Sequence, residues 1–558
     1  MIAPDHIAPV GPIERTSRGA ILLIVLLAAA LRLIALDRVP PAINQDEAVN
    51  AYDAYCLLKT GTDHYGTPWP VFFRSFGDYH PGIPIYLQIP FQAILGLNVW
   101  STRLPDALFG TALVLWVFLL VRRFYGDGVG LLSAAFLAVS PWHIHLSRLA
   151  FGIGISTSLT TLGLLLIARR IGGKSASKRF SAAAYLELAG AGVALGAASW
   201  TYHAMRAVVP LLLAGGILLN LGRLRTLART PGGIMAGAAM AGGLAVGTFP
   251  FFWTWAHAPQ EVWARASSLS PFHQSADWFA AMKLVIHNYS AHFTPSFLFL
   301  EGDHSLVQSI PGYGELHHVY ALFLPFGLYR VIRHWRTERF GRFVLWWIVI
   351  APIPAALARL DTPSGHCLRA AGVLPAYDIL AAMGADLLVR ALARRFRRAA
   401  TVAAALVLAP MALGTAYFGY QFFFRYPDEA ALYFNGDWGP IITDIERRRT
   451  SSDAVIITNI GNGHISAHYL FWSKTDPIAY FKARPNIVTG PEADFLIQVG
   501  TTFFTSAQRI DEVVAVLRPG TRLFVVERPG LPVPGNVLKQ FLDRKGNPMA
   551  VLYEVRTQ

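Results

Sequence analysis

The sequence predicts an α-helical polytopic membrane protein with about eleven transmembrane helices, followed by a small α/β domain outside the cytoplasm. Three observations predict this class. The 558 residues are 54% hydrophobic and only 15% charged, whereas soluble domains carry about 25% charged residues. Apolar runs of roughly the 20 residues that cross a bilayer recur along the chain. Beyond about residue 424 these runs stop, and short β-like runs alternate with helical ones.

Basic residues support the number and orientation of the spans. Several apolar runs are short, which a tilted or shielded helix in a bundle tolerates. With the N-terminus inside, every basic cluster, from Arg122–Arg123 to Arg390–Arg398, follows an even-numbered span, as the positive-inside rule requires. The chain beyond the eleventh span then lies outside. The candidate spans are 20–36, 102–121, 129–146, 152–168, 182–200, 206–221, 232–255, 316–332, 343–358, 368–389 and 400–423.

Charge and cysteine content exclude other classes. The net charge of +14 does not indicate a nucleic-acid partner. The basic residues lie between the apolar runs and do not form a single basic surface. Two cysteines, Cys56 and Cys367, exclude a disulfide framework and a cysteine zinc site. A bond between them stays open, although free thiols are favoured. A cleaved signal peptide is disfavoured, because Arg32 follows the small residues Ala28–Ala30 at once and the apolar run resumes.

The predicted organisation is a transmembrane domain with two long outer loops, then the α/β domain. In the first outer loop, Ala48–Leu58 and Ile83–Ile94 are predicted to be helices lying in the membrane interface, since neither is long enough to span. The predicted limits are 1–424 for the transmembrane domain, with loops 37–100 and 256–315, and 425–558 for the extracytoplasmic domain.

The last 130 residues carry the pattern of a layered α/β domain. Two segments between the β-like runs read as helices, Ser466–Trp472 and Ser506–Leu517. Glycines at Gly461–Gly463 follow a predicted strand, but a lone GxG is weak support for nucleotide binding. The β-like runs are 453–460, 495–499, 521–528 and 550–555.

The chemistry-bearing residues concentrate in the stretch NQDEAVNAYDAY, residues 44–55, just past the first span. Adjacent carboxylates, Asp46 and Glu47, are costly at the edge of a membrane, which marks them as functional candidates. The alternatives are that Asp46 only caps a helix and that Glu47 is an exposed acid favoured by the helix dipole.

Four further motifs accompany this acidic stretch in a fixed order. They are HPGIPIYLQIP in the first loop, RLPDALFGTALVLWVFLLVRRFYG opening span two, SPWHIHLSRLAF at the outer end of span three, and HCLRAAGVLPAYDILAAMG opening span ten. Together they resemble glycosyltransferase family 39, the protein mannosyltransferase-like and aminoarabinose transferase-like membrane enzymes of the GT-C fold. The resemblance covers 32–170 well, is looser through 210–384 and is absent from the C-terminal domain.

The resemblance implies transfer of a hexosyl or pentosyl group from a polyprenyl-phosphate carrier to an acceptor outside the plasma membrane, in the cell envelope. That acceptor is a protein, a glycan or a membrane lipid. In such enzymes the first-loop aspartate, here Asp46, faces the reaction centre. An attacking hydroxyl must also lose its proton, so a carboxylate is needed as general base, and attack opposite the phosphate would invert the anomeric carbon. Glu47 is predicted to orient the acceptor or position Asp46.

The leaving group is a lipid phosphate, which should meet preorganised cations. His366 and Arg369, one helical turn apart at the outer start of span ten, are the first candidates. The alternative for Arg369 is that it snorkels to lipid headgroups. Arg148 is a second candidate, and His80, which precedes Pro81 where relatives carry a basic or histidine residue, is predicted to touch the same phosphate.

One departure from the relatives bears on metal binding. Relatives often carry an acid shortly after the arginine of the SR motif, whereas this chain continues LAFGIGIST. Asp78, Asp303 or Glu301 could replace it, but nothing in the sequence places them. We predict no metal ligands and no cofactor. A divalent cation stays an open alternative, which the missing acid disfavours because hard cations take several oxygen ligands.

An oligosaccharide polymerase or ligase of related fold is the closest enzymatic competitor, but it would lack an acidic pair directly after span one. Two rival functions from other classes also stay open. A transporter or lipid flippase predicts ionisable residues at mid-span, broken helices and internal repeats; only Glu187 and Asp378 lie well inside spans, and no repeat is visible. A non-catalytic scaffold would need far fewer spans than eleven.

Overall fold

A computed structural model of the chain describes residues 13–171, 180–274, 277–358, 365–395, 400–436, 438–458, 465–489, 494–506, 509–530, 533, 535–542, 546 and 548–557. The chain divides into two compact units. Unit 1 comprises Met1–Ile34 and Pro105–Phe423, and unit 2 comprises Ala35–Leu104 and Phe424–Gln558. The first outer loop is thus grouped with the C-terminal residues, whereas the sequence assigned it to the transmembrane domain; the predicted domain limits stay a prediction.

Most of the described chain is helical. Two π-helical segments, Ser296–Leu300 and Gln421–Arg425, and two 3₁₀ turns, Ala371–Val373 and Ala431–Phe434, adjoin the α-helices. In chain order the α-helices are α1 Arg15–Leu33, α2 Gln45–Thr60, α3 Gly82–Leu95, α4 Val99–Val139, α5 Pro141–Leu146, α6 Ile153–Ile171, α7 Ala182–Thr201, α8 Met205–Leu219, α9 Leu221–Leu227, α10 Pro231–His257, α11 Pro259–Leu269, α12 Pro271–Gln274, α13 Trp278–Ala291, α14 Tyr320–Arg333, α15 Arg339–Ile350, α16 Ile353–Ala356, α17 Cys367–Ala370, α18 Ala376–Arg395, α19 Ala400–Tyr420, α20 Tyr426–Ala430, α21 Trp438–Arg448, α22 Ile465–Trp472, α23 Pro477–Lys482 and α24 Ile510–Val516.

Several helices are long and apolar enough to cross a membrane. The described residues contain six such helices, or up to eight if each of two bent pairs is one span. The first bent pair, α8 with α9, turns by 79°, and the second, Cys367–Val373 with Ala376–Arg394, by 56°. The 41-residue α4 contains a non-helical Gly126 at φ 82°, which breaks it between the second and third predicted spans. The number of eleven spans stays a prediction.

Small residues bring α7 and α10 together within unit 1. A Cβ added to Gly192 would overlap the backbone of Met240, and one added to Gly243 would overlap the backbone of Ala189. Glycine is therefore required at both contacts, as in membrane helix pairs whose attraction depends on close backbone approach. The remaining surface of α10 carries exposed apolar side chains, including Val246 and Phe249, which suits contact with lipid.

The described residues of unit 2 form two sheets. A two-stranded antiparallel hairpin, β1 Phe72–Ser75 and β2 Asp78–Pro81, lies in the first outer loop. A seven-stranded mixed sheet has the order β4-β5-β6-β3-β7-β9-β8, in which β3 is parallel to β6 and β7 and the other pairs are antiparallel. Its strands are β3 Ala454–Thr458, β4 Asn486–Thr489, β5 Asp494–Val499, β6 Thr502–Thr505, β7 Arg522–Glu527, β8 Asn536–Leu542 and β9 Pro548–Arg556. The predicted GNG turn lies outside the described residues.

The central strands of this sheet are buried on both faces. Along β3, Val455 and Ile457 join one apolar cluster, while Ala454 and Ile456 join the other. This alternation is the period of two that a pleated strand imposes. Helix α24 covers the second face through residues such as Val513, and helices α21 and α22 cover the first. Burial on both faces explains why the sequence shows continuous apolar runs here.

Helix α2 also covers the first face of the sheet, with Ala48, Val49 and Tyr52 in the same buried cluster as α21 and α22. On another side, Ala54 and Leu57 pack with Phe73 of β1. The helix was expected to lie in the membrane interface, but most of its residues are buried within unit 2. The misplacement has a physical cause: apolar residues at helical spacing look the same whether lipid or protein covers them.

Candidate functional site

Asp46 lies in the first turn of α2, which begins with a complete capping box. The Asn44 side-chain oxygen accepts from the backbone N–H of Asp46 at 2.9 Å, and the Glu47 carboxylate accepts from the backbone N–H of Asn44 at 3.0 Å. The cap is thus Asn44, and Asp46 is left for another role. Asp46 is half-buried, and within the described ranges its carboxylate has no hydrogen-bond or ion-pair partner.

Glu47 is fully buried against Arg103 of α4. The guanidinium Nε and Nη2 donate to the two carboxylate oxygens at 2.9 Å and 2.8 Å, and both side chains are 0% exposed. The remaining Arg103 donors reach three backbone carbonyls that precede α2, those of Leu36, Pro40 and Ala42. One arginine therefore joins the start of α4, the preceding loop and the first turn of α2, which favours positioning of Asp46 as the role of Glu47.

His80 lies in β2 beside α2. Its Nδ1 is 2.7 Å from the side-chain oxygen of Asn50, so Nδ1 carries the proton and donates. Asn50 is one helical turn after Asp46, on the same face of α2. The Nδ1 contact joins His80 to α2, and a phosphate contact by His80 stays a prediction.

Two other acids of the first loop, Asp53 and Asp63, are buried. Asp53 is 0% exposed and accepts from the backbone N–H of His64 at 2.9 Å, while its Oδ1 lies 2.6 Å from His64 Nδ1. The neighbouring Asp63 accepts from the backbone N–H of Thr67 at 2.7 Å. Burial, with the nearby Asp53 charge, raises the pKa of Asp63 to about 6. These residues fix the loop that follows α2.

The predicted phosphate ligands of unit 1 meet at α17. His366 is the N-cap, and its Nδ1 accepts from the backbone N–H of Arg369 at 3.5 Å. Burial, followed by the Arg369 charge, holds the pKa of His366 well below its usual range. The ring is therefore neutral, with its proton on Nε2, and Arg369 supplies the positive charge at this turn. Phosphate binding by either residue stays a prediction.

Arg148, the second predicted phosphate ligand, is fully buried. It donates to the carbonyls of Leu31 and Ile34 at 2.8 Å each, and its guanidinium lies over Phe422 and Phe423 at 5.7 Å and 5.2 Å from the ring centroids. The last carbonyls of a helix lack partners within the helix and attract cations. These contacts favour a structural role for Arg148 at the C-terminal end of α1.

Sequence reasoning missed a buried carboxyl pair in the second outer loop. The Asp303 carboxylate accepts from the backbone N–H of Cys367 at 2.8 Å and lies 3.6 Å from His366 Nδ1. Glu315 accepts from the backbone N–H of Asp303 at 3.0 Å and from the Ser309 hydroxyl at 2.9 Å. Burial, then the Asp303 charge, raises the pKa of Glu315 to about 8. Sequence reasoning named Asp303 but not Glu315, because no local motif relates the two acids.

Neither cysteine forms a disulfide: Cys56 and Cys367 are both buried free thiols. Within the part of the chain that the structure describes, no group of three histidine, cysteine, aspartate or glutamate side chains is arranged to hold a metal ion.

The chain is similar to known proteins in sequence and in fold. Residues 79–247 match the family described as dolichyl-phosphate-mannose-protein mannosyltransferase. Dolichyl-phosphooligosaccharide-protein glycotransferase 2 of Pyrococcus furiosus is 29% identical over 160 residues, which are 28% of this chain and 20% of that protein. The solved structure of ArnT from Cupriavidus metallidurans bound to undecaprenyl phosphate superposes with a TM-score of 0.55 at 15% identity, covering 96% of this chain and 98% of that one.

The chain shares the GT-C fold. The resemblance found in the sequence is confirmed. A further GT-C structure, the oligosaccharyltransferase AglB from Archaeoglobus fulgidus with an inhibitory peptide and a dolichol-phosphate, gives a TM-score of 0.52 at 14% identity over 82% of this chain and 64% of that one. The match to the Pyrococcus protein spans about a fifth of that relative's length, and the matched family region includes His80, Arg103 and Arg148.

Proposed function

We propose that the chain is a multi-pass plasma-membrane glycosyltransferase that moves a sugar from a polyprenyl-phosphate donor to an acceptor on the extracytoplasmic face. Asp46 is the general base, and the reaction inverts the anomeric carbon. The observation that carries the proposal is the contrast between two adjacent acids. Glu47 is buried and neutralised by Arg103, whereas Asp46 is held on the same helix turn with its carboxylate available.

The location of Asp46 supports an extracytoplasmic reaction. Helix α2 packs into the same apolar cluster as α21, α22 and the seven-stranded sheet, so Asp46 and the C-terminal residues lie on one side of a membrane. The distribution of basic residues supports an extracytoplasmic location for that side.

In the proposed reaction, the acceptor hydroxyl oxygen attacks the anomeric carbon as its proton passes to the Asp46 carboxylate. The new bond is between acceptor oxygen and anomeric carbon, and the bond that breaks joins that carbon to a phosphate oxygen. The electron pair leaves with the polyprenyl phosphate. Attack opposite this leaving group gives inversion.

The leaving phosphate gains negative charge, which we assign to His366 and Arg369. Arg369 contributes the fixed positive charge and a planar fork of donors suited to phosphate. His366, held neutral by burial, contributes a hydrogen bond from Nε2. Polyprenyl-phosphate donors are also supported by the fold relatives, since ArnT binds undecaprenyl phosphate and AglB was solved with a dolichol-phosphate.

The test is Asp46→Asn in isolated membranes with a radiolabelled polyprenyl-phosphate sugar. We expect loss of transfer by about 100-fold or more, the upper part of what a general base contributes, with normal insertion and yield. Asp37→Asn is the matched control: this acid belongs to the same loop, is partly exposed and pairs with Arg38 only at 3.8 Å, so wild-type transfer is expected. Substantial transfer by Asp46→Asn would remove Asp46 from the base role.

The transporter alternative predicts ionisable residues within the spans, and unit 1 does bury such residues. Arg32 is 0% exposed, but it donates to the carbonyls of Leu137 and Ala138 and to His143 Nδ1 at 2.7 Å. Asp378 accepts from the Tyr320 hydroxyl at 2.8 Å. These contacts join helices to one another, as a structural network does. Sugar-lipid movement across vesicles without transfer to any acceptor would favour the alternative.

A further inference from the structure

The second outer loop is anchored to the α17 turn of unit 1 at several points. Asp303 accepts from the backbone N–H of Cys367 at 2.8 Å, and the Cys367 thiol donates to the Gln308 carbonyl at 2.9 Å. The other end of the loop is fixed by Glu315, whose carbonyl accepts from the backbone N–H of Trp142. The Trp142 indole in turn donates to the Cys367 carbonyl at 3.1 Å.

His292 fixes the same turn from α13. Its Nδ1 lies 2.8 Å from the Asn288 carbonyl and therefore donates, while its Nε2 accepts from the backbone N–H of His366 at 3.0 Å. Both ring nitrogens are thus assigned, and the ring is neutral. Two consecutive backbone N–H groups, those of His366 and Cys367, are consequently held by side chains from two different segments.

Asp303 is the charged member of these contacts. It is 8% exposed, its Oδ1 accepts from the backbone N–H of Ser305 at 2.9 Å, and its Oδ2 meets Cys367 N–H and lies beside His366 Nδ1. A buried carboxylate that accepts from backbone N–H groups sets the conformation of the segment that donates to it.

We propose that Asp303 is a positioning residue for the lipid phosphate: it holds the His366–Arg369 turn so that these two side chains can bind the phosphate of the donor. Asp303 does not itself contact that phosphate, since like charges repel. The inference rests on the proposed function, because it concerns the same phosphate site.

Through Asp303, the second outer loop contributes to binding of the donor. Loss of the Asp303 carboxylate frees the Cys367 N–H and loosens the turn, so Arg369 no longer presents its guanidinium in one geometry. Displacement of a catalytic or binding group by about 1 Å is enough to cost about 100-fold in rate. The effect should fall on the donor and not on the acceptor.

The experiment compares Asp303→Ala, Asp303→Asn and Glu301→Gln in the full chain, purified in detergent. Glu301 is the matched control, since its exposed carboxylate accepts from the Ser296 hydroxyl. The readouts are the KM values for donor and acceptor and the Kd for undecaprenyl phosphate, measured by tryptophan fluorescence. For Asp303→Ala we expect the donor KM and the Kd to rise about tenfold or more, the effect of losing one hydrogen bond to a charged group.

Asp303→Asn keeps an oxygen that can accept from Cys367 N–H, so its donor KM should lie between those of Asp303→Ala and the wild type. It also keeps the test decisive if Asp303→Ala fails to fold. Wild-type donor KM and Kd in Asp303→Asn and in any folded Asp303→Ala would overturn the inference and leave the proposed function standing. Equal increases for donor and acceptor would also overturn it, as they indicate general loss of structure. A wild-type protein that transfers sugar from no polyprenyl-phosphate donor would instead overturn the proposed function.

Discussion

Glu47→Gln and Asp46→Asn both replace a carboxylate by an amide at neighbouring positions, but we expect one to affect stability and the other to affect activity. Glu47→Gln removes the negative charge that faces Arg103 in a pair whose two side chains are both 0% exposed. The arginine stays buried and positively charged, with a neutral amide where its bidentate partner was. Asp46→Asn changes a half-buried carboxylate with no partner in the described part of the chain. Glu47→Gln should therefore cost stability, and Asp46→Asn should cost activity.

The magnitude follows from the geometry of the buried pair. Removing one partner of a buried ion pair costs about 3–5 kcal/mol, because the other charge is left uncompensated. Unit 2 has about 200 residues, a size at which 1 kcal/mol shifts the melting temperature by about 2–4 °C. Glu47→Gln should therefore lower the melting temperature of unit 2 by about 6–20 °C. Asp46→Asn should stay within about 0.5 kcal/mol of the wild type, as surface substitutions usually do.

The assay is thermal unfolding of the full chain in detergent, followed by circular dichroism in the β-sheet region, with sugar transfer measured on the same samples at a temperature where both variants are folded. Transfer by Glu47→Gln should be reduced less than transfer by Asp46→Asn, since the proposed base, Asp46, is still present. A Glu47→Gln protein that melts within about 2 °C of the wild type, less than 1 kcal/mol for this size, would refute the reasoning.

Three further outcomes are expected. Arg369→Ala should raise the donor KM about tenfold or more, the effect of losing a hydrogen bond to a charged group, with the acceptor KM unchanged; equal changes in both would exclude Arg369 as a phosphate ligand. Gly192→Leu should cost about 1–3 kcal/mol or more, because a Cβ there overlaps the Met240 backbone, whereas Gly190→Leu, whose added Cβ has its nearest neighbour at 4.0 Å, should melt like the wild type. Burial raises the pKa of Glu315 to about 8 from 4.5, so the folded state binds a proton that the unfolded chain has lost. Stability should therefore fall as the pH rises through this interval, and Glu315→Gln should flatten that part of the melting-temperature profile.

The sequence located many helices and strands because their signals are local. The predicted helices at 48–58 and 83–94 lie within α2, Gln45–Thr60, and α3, Gly82–Leu95, since apolar spacing and capping residues act over a few positions. The four β-like runs lie at β3, β5, β7 and β9. Strands β4 and β6 have only four residues each, and β8 is largely exposed, so they carry no apolar run that could reveal them.

The candidate site was less predictable because its contacts are remote in sequence. Glu47 and Arg103 are 56 positions apart, and Asp303 and Cys367 are 64 positions apart. No periodicity or motif relates such residues, and only the fold decides which of two adjacent acids is buried. The sequence named Asp46, His366 and Arg369 as candidates from residue type and topological side, but it offered no means to see that His366 is held neutral.

The pairing of Glu47 with Arg103 explains how the proposed general base, Asp46, can be kept in place near the end of a helix. The first turn of a helix frays readily because its N–H groups lack partners within the helix. Here the capping box satisfies the N–H groups of Asn44 and Asp46, and the buried ion pair ties the same turn to α4 and to the carbonyls of the preceding loop. A base that moved with a fraying turn would lose the narrow geometry that proton transfer requires. The burial of Glu47 and Arg103 thus yields a rigid turn, on which the half-buried Asp46 carboxylate can stay accessible.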